Sequence, residues 1–286
     1  MKIAIVIPTH NRKNSLIECL KYVYESDYKN IDVIVIDDGS NDGTSEEISV
    51  NFPSVRILHG DGSLWWTGSM NLGVRDALAR GADYVLALND DVLIAPNAVK
   101  ALVDCASAHP GAVVGSLIYE AGRPDTIWCA GGVLAWPWPG EVMLGHNQQD
   151  MGQYDGVRAV RWTPGMGTLM SREVLLKLNL YDARNMPHYI ADADFTLRAS
   201  QAGYPILVTS ESKLYNHVEN TGGIPADRRR ITWHEFVSIF TSLRSPEYLR
   251  ARLVFIWRHC PKGWLIAAFL IRYSRMLVYG LKRIAL

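Results

Sequence analysis

The sequence predicts an α/β protein with a mainly parallel central sheet flanked by helices and a helical appendage at its C-terminal end. Two observations carry this reading. Short apolar runs alternate with helical segments through the first third of the chain, and three of those runs end abruptly in polar clusters. A wholly apolar run of four or five residues is the pattern of a strand buried on both faces, as parallel strands are. A chain of 286 residues that is 48% apolar can bury such a core.

The first strand is Ile3-Ala4-Ile5-Val6-Ile7, broken by Pro8-Thr9. Ser15 followed by Glu18 reads as a capping box opening a helix that runs to about Ser26. A second strand, Val33-Ile34-Val35-Ile36, ends in Asp37-Asp38-Gly39-Ser40. A helix from Thr44 to Val50, a strand at Val55-Arg56-Ile57-Leu58 and a helix from about Ser69 to Arg80 closed by Gly81 follow. The next strand, Tyr84-Val85-Leu86-Ala87-Leu88, opens into Asn89-Asp90-Asp91. This βαβ order implies right-handed crossovers, and it gathers the polar clusters at the carboxyl edge, where open α/β sheets hold ligands.

Adjacent acids at such a mouth repel one another and lose hydration unless solvent or a hard cation such as Mg²⁺ or Mn²⁺ compensates them. Asn and Asp are also common turn residues, so the triplet gains meaning from its two companion clusters. The loop Gly60 to Gly68 leads into a helix N-terminus whose free N–H groups can receive an anion or a ribose hydroxyl, which puts Gly68 and Asn71 on the side of a nucleotide ligand. Its glycine spacing matches neither a Walker loop nor a dinucleotide fingerprint.

Five segments occur in order over residues 1 to 220: Val6-Ile7-Pro8-Thr9-His10-Asn11-Arg12, Asp37-Asp38-Gly39-Ser40, Asn89-Asp90-Asp91, Thr163-Pro164-Gly165-Met166-Gly167, and Ala191-Asp192-Ala193-Asp194-Phe195 with Arg198. Together they resemble the family-2 glycosyltransferases of the GT-A fold. The resemblance implies an inverting, metal-dependent transfer of a sugar from a nucleotide-diphosphate donor to an acceptor hydroxyl. Pro8, Thr9, Asn11, Arg12, Asp38, Asn89 and Asp90 then fall on the donor side. Gly165, Met166, Gly167 and Asp194 fall on the acceptor side. Asn89 replaces the first acid of the DxD motif, leaving Asp91 as the direct ligand of a Mn²⁺ or Mg²⁺ cofactor. His217 matches the family position that completes the metal site, and imidazole suits Mn²⁺ better than Mg²⁺. Ala191 replaces a glutamate, which puts the role of general base on Asp192, whose alternative is a helix cap.

Other features keep two readings. Glu219 to Asp227 is rich in turn formers and precedes Arg228-Arg229-Arg230, so it reads as a mobile lid with Arg228 on the donor's diphosphate, or as a solvated basic turn. Trp65 and Trp66 either stack on a base or sugar or split between core and surface. The aromatic segment Trp128 to Trp138 is an acceptor-sugar platform, with Trp128 in contact, or the packing of an inserted hairpin.

The net charge of zero conceals an asymmetry. From Arg244 onward nine Lys/Arg face one acid, Glu247, so the preceding residues carry an equal and opposite excess. This basic end is also apolar, and its longest run, Trp264 to Ile271, has eight residues. A spanning helix needs about twenty. Helices with Trp, Leu and Phe beside Lys and Arg are suited to the interface of an anionic membrane, the alternative being packing on the catalytic domain or in a homo-oligomer. Nucleic acid is not an expected partner, because the cations alternate with long aliphatic side chains.

The expected boundaries are 1–230 for the catalytic domain, with 1–120 binding the nucleotide sugar and 121–230 the acceptor, and 231–286 for the basic, apolar helices. Lys2 leads directly into strand-like sequence, so no leader is expected and the cytoplasm is the expected compartment, with the inner face of the plasma membrane as the docking surface. Cys19, Cys105, Cys129 and Cys260 lack CxxC spacing and are expected to be reduced and inert. The expected acceptor is a glycan on a polyprenyl diphosphate. The overall pattern is similar to bacterial rhamnosyltransferases of O-antigen and cell-wall assembly, which favours dTDP-L-rhamnose over a UDP-hexose as donor. Two rivals stand beside this reading. A nucleotidyltransferase needs a Gly-rich triphosphate loop that Pro8 to Arg12 lacks, and a catalytically impaired sugar-nucleotide-binding scaffold would account for the two lost acids.

Overall fold

The computed structural model describes residues 1–138, 140–217 and 231–285. The first half follows the expected alternation: β1 (Ile3–Thr9), α1 (Lys13–Tyr24), β2 (Ile31–Asp37), α2 (Thr44–Asn51), β3 (Arg56–His59), α3 (Trp65–Ala79), β4 (Tyr84–Ala87), β5 (Val92–Ile94), α4 (Ala98–Ala108) and β6 (Val113–Glu120). Shorter strands follow, β7 (Arg123–Cys129), β8 (Gly132–Ala135), β9 (Gly140–Met143), β10 (Gln148–Gln149), β11 (Val157–Ala159) and β12 (Thr168–Ser171). The chain then forms α5 (Arg172–Lys177), α6 (Ala191–Gln201), β13 (Ile206–Asn216), α7 (Trp233–Thr241), α8 (Leu249–His259) and α9 (Leu265–Ala285).

Strands β3, β2, β1 and β4 lie side by side and parallel, and β12 enters antiparallel between β4 and β6. Both faces of this sheet are covered. Val6, Ile34, Ile36 and Val85 point into one core with α3 and α6, while Ile5, Ile7, Val35 and Leu86 point into another with α1 and α4. Alternate residues therefore serve opposite cores, which is why these strands read as unbroken apolar runs. The register sets Thr9 opposite Asp37, and Leu88 N–H donates to the Val6 carbonyl, so the three polar clusters share one edge of the sheet.

Two helix starts differ from expectation, for the same reason. Helix α1 begins at Lys13 without a side-chain cap of its own, because the Lys13 N–H is taken by the Asp42 carboxylate at 3.1 Å. Helix α3 begins at Trp65, four residues before Ser69, because the Trp65 N–H is taken by the Asp38 carboxylate at 2.9 Å. Carboxylates of neighbouring loops cap both helices.

Helix α8 inserts Ala251 and Phe255 into the core that holds α6, so it is packed on the sheet domain. Helix α9 with its preceding turn forms 23 residues that are long and apolar enough, by length and composition, to cross a membrane. The apolar run read from the sequence was shorter because Arg272 and Arg275 interrupt it, yet the helix continues through both. Arg272 is buried against the Glu247 carboxylate at 2.6 Å, and Gly280 lets α9 lie directly on the Phe236 ring of α7. The four cysteines are buried thiols.

Candidate active site

The acidic cluster after β4 is neutralised from the loop after β1. Arg12 reaches Asp90 Oδ1 at 2.9 Å with one Nη and Asp91 Oδ2 at 2.7 Å with the other. The Thr9 hydroxyl donates to Asp90 Oδ2 at 2.8 Å. Burial pushes the Asp90 carboxyl up to about 7; Arg12 opposes that shift and the neighbouring Asp91 adds to it. Asp91 Oδ1 is buried with no hydrogen-bond partner. On the other side of Asp91, the pairing of β13 with β5 continues into His217, whose N–H donates to the Asp91 carbonyl at 3.2 Å. The His217 imidazole lies 3.9 Å from the Glu18 carboxylate of α1, a neighbour the sequence reading did not single out. Among the described residues no three His, Cys, Asp or Glu side chains cluster in a metal-holding arrangement.

The loops after β1 and β2 are stitched together. Asn11, at φ +52°, accepts the Asn41 N–H and donates its own N–H to Ser40 Oγ, and the His10 ring bonds the Asp38 carbonyl. The two Asp38 carboxylate oxygens accept the Gly62 and Trp65 N–H groups, each at 2.9 Å, so this side chain fixes the loop that borders the cleft. Pro8 is buried within β1, in register with Ile36.

Across the cleft, Trp66 joins the two halves of the site. Its Nε1–H donates to Asn89 Oδ1 at 2.9 Å, and its ring lies so close to Gly165 that a Cβ there would sit 2.5 Å from Cζ2. The Gly165 N–H in turn donates to Asp192 Oδ2 at 2.7 Å, while Asp192 Oδ1 accepts the Ala193 N–H at 2.8 Å. Burial raises the Asp192 carboxyl above the usual carboxylate range, against these two N–H groups. Asp192 is thus one hydrogen bond from the glycine segment and three contacts from Asn89.

The Glycosyl transferase family 2 model matches residues 4–158. The chain belongs to this family. It is 27% identical over 268 residues to the N-acetylglucosaminyl-diphospho-decaprenol L-rhamnosyltransferase of Mycobacterium tuberculosis, spanning 87% of this chain and 83% of that one. It is also 27% identical over 241 residues to the undecaprenyl-phosphate mannosyltransferase of Micrococcus luteus, spanning 78% and 89%. Among solved structures, GalNAc-T7 with UDP, GalNAc and Mn²⁺ superposes with a TM-score of 0.63 at 16% identity, over 76% of this chain and 44% of that one. Staphylococcus aureus TarS 1–349 superposes with a TM-score of 0.55 at 16% identity, over 94% and 71%. The fold is GT-A, and the protein is a glycosyltransferase.

Several expected contacts of this family-2 transferase are committed elsewhere. The Asn71 amide is buried in a reciprocal pair with the Tyr181 backbone, at 2.9 and 3.0 Å, so it fastens α3 to the segment before α6 and presents nothing to a donor. The Gly68 N–H is taken by the Leu64 carbonyl within the first turn of α3. Asp194 has no exposed surface: Arg198 Nε at 2.8 Å, Arg258 Nη1 at 3.1 Å and His259 Nε2 at 2.9 Å surround it. It ties α6 to α8 and cannot touch an acceptor. Burial alone would raise this carboxyl, but the His259 hydrogen bond and Arg198 hold it down at about 2. Gly167 bridges strands, donating to the Ala87 carbonyl and accepting from Ser116, and Met166 packs on the second core. Trp128 lies on β7, separated from β4 by β6 and β12, and packs on that same core. Arg228, with the expected lid, lies outside the described residues.

The sequence reading left Trp66 open, and it proves to be half-buried between the two sides of the cleft, with Tyr181 edge-on at 5.5 Å. Glu141 of β9 was not singled out at all. Its charge acts on Asp192, and it is paired with Arg252 of α8. Neither residue stands in a motif; only the fold brings them to Asp192.

Proposed function

We propose that this glycosyltransferase inverts the anomeric centre as it moves a sugar, dTDP-L-rhamnose ahead of a UDP-hexose as donor, to a hydroxyl of a polyprenyl-diphosphate-linked glycan. The observation that carries the reading is the run of contacts from Asn89 through Trp66 and Gly165 to Asp192, which sets a desolvated carboxylate across one cleft from the acidic strand end. The mycobacterial and micrococcal relatives, both named for polyprenyl-linked substrates, support the choice of acceptor.

In this reading the acceptor hydroxyl attacks the anomeric carbon from the face opposite the nucleoside diphosphate. Asp192 takes the hydroxyl proton as the new C–O bond forms, and the electron pair of the broken bond leaves on the diphosphate oxygen. Burial makes Asp192 a stronger base than an exposed aspartate. Arg12, already shared between two carboxylates, is the cation at hand for the diphosphate. The buried oxygen of Asp91 that lacks a hydrogen bond, beside a second carboxylate, fits a hard divalent cation. Asp91 and its neighbour His217 would hold Mn²⁺ or Mg²⁺, which supplies a Lewis acid for the leaving group when bound.

The same reading sets the enzyme on the anionic inner leaflet. Ile266, Leu270, Leu277 and Leu281 form one exposed stripe along α9, and Arg275 and Lys282 are exposed on another face of the same helix. Because Arg272 and Gly280 of the same helix are packed on protein, α9 is read as lying on the bilayer.

Calorimetry with dTDP-rhamnose and the common UDP-sugars, with and without Mn²⁺ or Mg²⁺, tests the function. The expected result is one tight, metal-dependent donor that Asp91→Ala weakens. Binding of no donor would sink the transferase role of this cleft and point to a scaffold.

A further inference from the structure

A cavity of about 540 Å³ lies between α9 and the loop joining β8 to β9, away from the cleft. Arg275, Val278, Tyr279 and Lys282 line it from one face of the helix, at spacings of three, four and seven, and Trp138 closes it from the loop. Its walls are therefore apolar and its cations gather along one side. The Arg275 guanidinium sits 5.1 Å above the Trp138 ring, and Arg272 lies on the same ring at 5.4 Å. Arg272 is committed to Glu247, whereas neither Arg275 nor Lys282 is in an ion pair among the described residues. Two exposed cations beside an apolar hollow suit an amphiphile with an anionic head.

The cavity is also linked to Asp192. Glu141, in the same hairpin as Trp138, lies 3.8 Å from Arg272, and its charge acts on the Asp192 carboxyl.

We propose that this cavity seats the phosphate-bearing end of a polyprenyl phosphate or diphosphate. Arg275 and Lys282 pair with the phosphate oxygens, and Trp138, Val278 and Tyr279 cover the first prenyl units. The inference rests on the lipid-acceptor reading above. It favours a prenyl phosphate over a bulk phospholipid because Arg275 and Lys282 line a hollow on one face of α9, whereas the apolar stripe that would meet bulk lipid lies on another face.

Binding of farnesyl diphosphate to the full chain, measured by calorimetry against pyrophosphate and farnesol, tests it. Loss of a charge-assisted contact is expected to weaken farnesyl diphosphate about tenfold in Arg275→Gln and again in Lys282→Gln, with Trp138→Ala weakening it similarly. Nucleotide-sugar binding stays unchanged, because none of the three touches the cleft. The proposal is overturned if farnesyl diphosphate binds no better than pyrophosphate, or if the charge variants bind it like the parent. It is also overturned if phosphatidylglycerol vesicles need the same two cations and farnesyl diphosphate does not compete with them. Transfer assays separate the two readings. A parent enzyme that prefers a lipid-linked acceptor, with KM unmoved in Arg275→Gln, would remove the cavity and leave the acceptor class standing. A parent that does not distinguish lipid-linked from lipid-free acceptors would remove both.

Discussion

Trp66 donates its indole N–H to Asn89 at 2.9 Å while its ring occupies the space that a side chain on Gly165 would need. One side chain therefore sets the distance between the acidic strand end and the loop that holds Asp192. Gly165→Ala would drive a methyl group to 2.5 Å from the indole, and the ring cannot retreat because Tyr181 stands edge-on against it. The expected result is loss of transfer by about a hundredfold or more, from a displacement on the order of 1 Å at the base. Donor affinity changes little. Single-turnover transfer beside donor titration checks both.

Arg12 is the only cation that an ion pair brings to Asp90 and Asp91 among the described residues. Removing it takes away the charge that opposes the rise of Asp90, which then takes up a proton, so Arg12→Ala should lower stability by about 1–3 kcal/mol, the cost of losing charge-assisted hydrogen bonds from a partly exposed arginine. Mn²⁺ should restore part of that loss in the variant and stabilise the parent less, since it would then take over the neutralising charge. Thermal unfolding with and without Mn²⁺ measures this. Equal shifts in the two proteins would separate Arg12 from the metal site.

The strands of this enzyme were legible because burial on two faces leaves no polar position along Ile3 to Ile7 or Val33 to Ile36. The helix starts were not, because their caps come from Asp42 and Asp38 on neighbouring loops and not from the helices themselves. The acidic cluster was legible from its position at a strand end. Asn71 and Asp194 were misassigned to ligands for a related reason: their partners, Tyr181 and His259, stand 110 and 65 residues away, and nothing local marks the commitment. Trp66 had a visible signal, an indole at the mouth of a helix beside the cleft, but which way it turned depended on Gly165, on a distant loop.

Asp192 is held in a site where burial raises its pKa, so its working form is lost at a higher pH than for an exposed aspartate. The acid limb of kcat/KM should therefore lie above the ordinary aspartate value of about 4. Asp192→Asn keeps the acceptor of the Gly165 N–H but removes the base, so kcat should fall by about 10²–10⁴-fold with donor binding intact. A pH profile of the parent and a rate for the variant are the two measurements. An acid limb unchanged by position, with a residual rate near that of the parent, would move the base elsewhere.

Asp194 gives the last prediction, one of stability. It is buried among Arg198, Arg258 and His259, and its carboxyl is held at about 2 in the folded protein against about 4 in an unfolded chain. A carboxyl depressed by folding stabilises the protein when ionised, so its contribution is complete above the unfolded value and is lost as the pH falls from about 4 through about 2. Asp194→Asn removes that dependence and leaves cations without their common partner. The variant should be less stable at neutral pH by about 3–5 kcal/mol, and its stability should fall less steeply below about pH 4 than that of the parent. Because the pairs run from α6 to α8, the loss should be felt at both helices, and hydrogen exchange of Phe255 on α8 should quicken together with that of Phe195 on α6. Denaturant unfolding across the acid range, with exchange at neutral pH, measures all three; a variant as stable as the parent would mean that α8 is held to the sheet domain by apolar packing alone.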